Sequence, residues 1–114
     1  MSSNFIKTLF HPRKKVSQFS NIKARRSVGR NILIVEDEKL LARTLKRAFI
    51  KAGYDACYVM EAISAKKEIS NRVWDLFIVD LALPEISGLD LISELRQDEK
   101  TAKIPIIVYS GFTK

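Results

Sequence analysis

Short apolar runs that end on polar groups, with helix-like spans between them, constrain this chain more than any other feature. Ile32-Leu33-Ile34-Val35 runs into Glu36-Asp37-Glu38, Leu76-Phe77-Ile78-Val79 into Asp80, and Ile104–Tyr109 into Ser110-Gly111. Runs so short and so rich in branched residues are buried strands. Tyr54–Val59 reads as a further strand. Between them, Lys39–Ala52 repeats Leu41, Leu45, Ala48, Phe49 and Ala52 at three- and four-residue steps, and Gly53 is placed to end that helix in the left-handed conformation. Glu61–Asn71 is a shorter helix with Ala62, Ile63 and Ile69 as its apolar contacts, and Gly88–Asp98 a third with Leu89, Ile92 and Leu95 on one face. Trp74 opens the third strand and reads as core or edge packing. Strands alternating with helices require right-handed crossovers, and so a doubly wound α/β fold with a parallel sheet of about four strands.

The charge is divided along the chain. The formal excess of +7 comes from residues 1–30, which hold eight bases (Lys7, Arg13, Lys14, Lys15, Lys23, Arg25, Arg26, Arg30) and no acid, whereas residues 31–114 hold twelve bases and thirteen acids. Residues 1–30 show no sustained strand or helix period and read as a flexible basic extension; residues 31–114 have room for one small domain. The extension could bind nucleic acid only weakly and in a salt-sensitive way, since no interleaved base-stacking order accompanies its charge. A single cysteine, Cys57, excludes an internal disulfide and reads as a packed or half-exposed thiol. No apolar stretch approaches the roughly 20 residues of a membrane span, which points to a soluble cytoplasmic protein.

In an open parallel sheet, ligands sit at the carboxyl ends of the strands. If the strands bearing Glu36-Asp37 and Asp80 are neighbours, three carboxylates converge there. Their mutual repulsion is costly unless a hard divalent cation joins them, and an all-oxygen set selects magnesium or manganese over zinc. Glu38 reads as a helix-capping residue, and Pro84 and Gly88 as loop geometry that stiffens the turn and admits the next helix.

These motifs together resemble the receiver domain of two-component response regulators. The resemblance rests on Ile32-Leu33-Ile34-Val35-Glu36-Asp37-Glu38, on Asp75-Leu76-Phe77-Ile78-Val79-Asp80-Leu81-Ala82-Leu83-Pro84-Glu85-Ile86-Ser87-Gly88-Leu89, and on Ile104-Pro105-Ile106-Ile107-Val108-Tyr109-Ser110-Gly111. It implies a flavodoxin-like fold in which Asp80 accepts a phosphoryl group from a sensor histidine kinase or phosphotransfer protein. It further implies that Asp37 and Asp80 ligate Mg²⁺, that Glu36 assists through water, and that the Ala82 carbonyl is another ligand. Ser110 would hydrogen-bond a phosphoryl oxygen, and Gly111 would leave the acyl phosphate open to approach.

The resemblance covers about two-thirds of a receiver. The family's fourth helix, fifth strand and fifth helix have no counterpart, and Lys114 lies only four residues after Ser110, too near to serve as the family's active-site lysine. On this reading the Ile104–Tyr109 strand is an exposed edge open to self-association, because the apolar residues of the leader are too scattered to rebuild what is missing. The expected function is a phosphoacceptor signalling domain rather than an enzyme. A degenerate receiver that binds partners without being phosphorylated is the alternative.

Overall fold

A computed structural model describes residues 5–8 and 30–110. Its strands are β1 (Phe5–Thr8), β2 (Asn31–Val35), β3 (Asp55–Val59), β4 (Leu76–Asp80) and β5 (Ile106–Ser110), and its helices are α1 (Lys39–Lys51), α2 (Ala62–Ile69) and α3 (Gly88–Gln97). The strands form one sheet in the order β1-β5-β4-β2-β3. Its parallel part, β3-β2-β4-β5, is the four-stranded doubly wound sheet expected from the alternation of strands and helices.

The strands hold because they are apolar on both faces. Leu33, Val35, Phe77, Val79, Ile106 and Val108 pack with Ala62 and Ala65 of α2 and Leu91 and Leu95 of α3. Ile32, Ile34, Ala56, Ile78 and Tyr109 face the other way, toward Leu41, Leu45 and Phe49 of α1. Two helices thus cover one face and α1 covers the other, the arrangement that right-handed crossovers produce.

Four residues of the helices depart from the periodicity reading. Leu89 is 63% exposed and Ile63 59% exposed, so neither joins the core. Leu91 and Ala65 are buried instead; at about 3.6 residues per turn, positions two apart point to nearly opposite sides of a helix, so the buried face is turned away from Leu89 and Ile63. Ala48 and Ala52 are also exposed. Gly53 behaves as expected, with φ at 102° and its N–H donated to Ile50 O at 2.9 Å. Trp74 is buried beside Phe77, and its indole N–H reaches Glu68 O at 3.0 Å. Cys57 is a half-buried free thiol.

The edge of β5 is not open as expected. β1 pairs with it antiparallel, Phe5 opposite Ser110 and Thr8 opposite Ile107. Strand addition needs only backbone N–H and C=O groups in a matching register, so the scatter of apolar residues through the leader was no barrier. The route to self-association through that edge is closed along the paired residues. Residues 1–4 and 9–29 of the leader, together with Gly111 and Lys114, lie outside the described residues.

Polar contacts away from the carboxyl edge fix where the strands start. Asp75 Oδ2 accepts the Asn31 N–H at 2.7 Å, and the Asp75 N–H is donated to Asn31 O at 2.8 Å, which locks β4 against β2. Beyond α3, Arg96 Nη1 donates to Ala102 O and Ile104 O, each at 2.8 Å, and Thr101 Oγ1 donates to Leu95 O at 2.5 Å. These bonds tie the loop before β5 to the end of the helix, and the strand's register with β4 follows.

Candidate phosphoacceptor and metal site

β2, β4 and β5 run parallel, so their last residues meet at one rim. Asp80 is the final residue of β4, Glu36 follows the final residue of β2, and Ser110 ends β5. One carboxylate oxygen from each of Glu36, Asp37 and Asp80 lies within 4.8 Å of the others. Glu36 and Asp80 are wholly buried, while Asp37 is half-exposed and gives the cluster a face toward solvent.

Local backbone explains this placement. The Glu36 N–H is donated to Val59 O at 3.0 Å, which carries the β2–β3 ladder one residue past the strand and holds Glu36 under the rim. Its Oε2 accepts the Glu38 N–H at 2.7 Å. Glu38 is the N-cap of α1, as its position suggested, yet its side chain makes no capping bond; its own N–H is the one that Glu36 accepts. The Ala82 N–H is donated to Asp80 Oδ1 at 3.0 Å, and the Leu81 N–H to Tyr109 O at 2.9 Å, so the loop leaves β4 still tied to β5.

Gly88 is required by close approach. A Cβ at this position would stand 2.4 Å from Asp80 O and 2.6 Å from Leu81 Cα. Its N–H is donated to Leu81 O at 2.9 Å, and Ser87 caps the helix by accepting the Asp90 N–H at 3.2 Å. The first turn of α3 is therefore pressed against the backbone that carries Asp80.

One member of the site was not singled out by sequence reasoning. Tyr109 is in register with Asp80 across β4 and β5, is 5% exposed, and donates its hydroxyl to Glu36 Oε1. Burial, then the hydrogen bond to Glu36, then the charges of Glu36, Asp80 and Asp37 push its phenol far above the ordinary value of 10.0. The signal was its place beside Ser110 at a strand end, but only the register reveals what its hydroxyl touches. Ser110 itself is exposed at the same rim.

The donor set suits a hard divalent ion. Three carboxylates at one point are hard oxygen ligands, and charges buried to this depth call for compensation. Ala82, two residues beyond Asp80, is exposed in the loop that leaves β4.

Comparison with known proteins agrees with this geometry. Residues 32–114 match the response regulator receiver domain. The phosphate regulon transcriptional regulatory protein PhoB of Pseudomonas aeruginosa is 38% identical over 84 residues, covering 74% of this chain and 37% of that protein. The chain thus spans well under half the length of this curated relative. Among solved structures, the response regulator TrrA of Thermotoga maritima in complex with Mg²⁺-BeF is 32% identical with a TM-score of 0.59, over 62% of each chain. A chain from the crystal structure of histidine kinase ThkA in complex with TrrA is 34% identical with a TM-score of 0.61, over 68% of this chain and 65% of that one. An acidic rim at the carboxyl ends of a doubly wound sheet, and a family match that runs through all four of its parallel strands, place this chain among the response regulator receiver domains of two-component signalling.

Proposed function

We propose that Asp80 is the phosphoacceptor of a phosphorelay and that Glu36, Asp37, Asp80 and the Ala82 carbonyl hold the Mg²⁺ on which the transfer depends. The observation that carries this reading is the convergence of the three carboxylates within 4.8 Å at the end of β4. A carboxylate is a weak nucleophile, but it needs no deprotonation at neutral pH. An Asp80 oxygen attacks phosphorus, the bond from phosphorus to the donor's leaving group breaks, and an acyl phosphate remains on Asp80. Bound Mg²⁺ would neutralise charge on the acceptor and on the phosphoryl oxygens. Ser110, at the rim, would donate its hydroxyl to a phosphoryl oxygen.

The donor would be a sensor histidine kinase or a phosphotransfer protein; TrrA, crystallised with the kinase ThkA, supports a partner of this class. The test is phosphate incorporation from acetyl phosphate with and without Mg²⁺. Folded wild-type protein should take up one phosphoryl group in a Mg²⁺-dependent way, and Asp80→Asn none. A folded wild type that takes up nothing would instead be a partner-binding module.

A further inference from the structure

Tyr109 has no part in the reading above, yet its hydroxyl lies within the acidic cluster. Its Cα is in register with that of Asp80, its ring packs with Ile34 and Ile78 in the core layer beneath the rim, and its hydroxyl is donated to Glu36 Oε1. The other oxygen of Glu36 accepts the Glu38 N–H at 2.7 Å. Both oxygens of this buried carboxylate therefore accept donors that the chain itself supplies. A buried carboxylate needs such donors, and a divalent cation at the cluster draws on the same lone pairs.

We infer that Tyr109 competes with the cation for Glu36, holding the carboxylate while the cation is out and yielding it as the cation enters. This rests on the cluster being a divalent-cation site. It sets a tuning residue for that site beside the ligands themselves. The effect of removing the hydroxyl has a definite sign. The metal-free protein loses a hydrogen bond to a buried charge, whereas the metal-bound protein has none there to lose. The gap between the two states widens, and the cation binds more tightly.

The experiment is calorimetric titration of the full chain with Mg²⁺, wild type against Tyr109→Phe, together with thermal unfolding in EDTA. The variant should bind Mg²⁺ with a Kd about tenfold lower, while its unfolding midpoint in EDTA falls. A residue that only packs would not tighten the metal as it loosened the metal-free fold. Equal or weaker Mg²⁺ binding by the variant overturns the inference. If the variant does not fold, the ring resonances of Tyr109 in the wild type decide: a shift at saturating Mg²⁺, absent in Asp37→Asn, supports competition, and unchanged resonances overturn it. Wild-type protein that takes up no Mg²⁺ overturns the cation reading itself, an outcome distinct from equal affinities in the two proteins.

Discussion

Asp80 and Glu36 are both fully buried carboxylates. Asp80 Oδ1 accepts the Ala82 N–H, and Glu36 accepts the Glu38 N–H and the Tyr109 phenol. Tyr109 gives the residue scale a pH signature. Its phenol is raised in the folded protein and ordinary in the unfolded chain, so its contribution to stability is complete below about pH 10. Above that, the unfolded chain releases the phenolic proton while the folded one keeps it, and stability falls as pH rises toward the folded value. The slope for one proton is about 1.4 kcal/mol per pH unit. Urea unfolding in EDTA between pH 9 and 11 should therefore show a steeper loss for wild type than for Tyr109→Phe. Parallel curves would mean that the hydroxyl is not buried in the cluster.

At the scale of elements, two glycines carry different loads. Gly53 is needed for its positive φ, and Gly53→Ala should cost about 1 kcal/mol in urea unfolding without changing Mg²⁺ affinity, since the helix end is remote from the rim. Gly88 is needed for space. Gly88→Ala should cost about 1–3 kcal/mol and also weaken Mg²⁺ binding, because its Cβ would push on the backbone of Asp80 and Leu81. Equal effects of the two substitutions on metal affinity would remove the distinction. Strands and helices were legible here because Ile32–Val35 and Leu76–Val79 admit no other use, and Gly53 has no cheaper place. The faces of α2 and α3 were less so. Ile63 and Leu89 begin their helices, and periodicity over two or three turns does not decide between them and Ala65 or Leu91. The Asp75–Asn31 clamp was hidden too, since it depends on a strand pairing that spans 44 positions.

For the whole molecule, the parallel sheet and the acidic rim could be read from the chain, and the sheet's outer edge could not. Phe5–Thr8 adds to β5 through its backbone, and a backbone edge leaves no mark in side-chain pattern. Removing residues 1–8 should expose that edge, lower the thermal midpoint and produce self-association by sedimentation velocity; an unchanged monomer would show that β1 contributes nothing to the fold. The convergence of Glu36, Asp37 and Asp80 needed only the order of strands, which is why it was legible, whereas Tyr109 needed their register as well. The claim on which the account rests is that this rim turns Asp80 into an acyl phosphate. The most direct measurement is peptide mapping after acetyl phosphate and Mg²⁺ treatment followed by borohydride reduction, which converts a phosphorylated aspartate to homoserine. Conversion at position 80, dependent on Mg²⁺, is the expected result; a different converted residue, or none in folded protein, would contradict it.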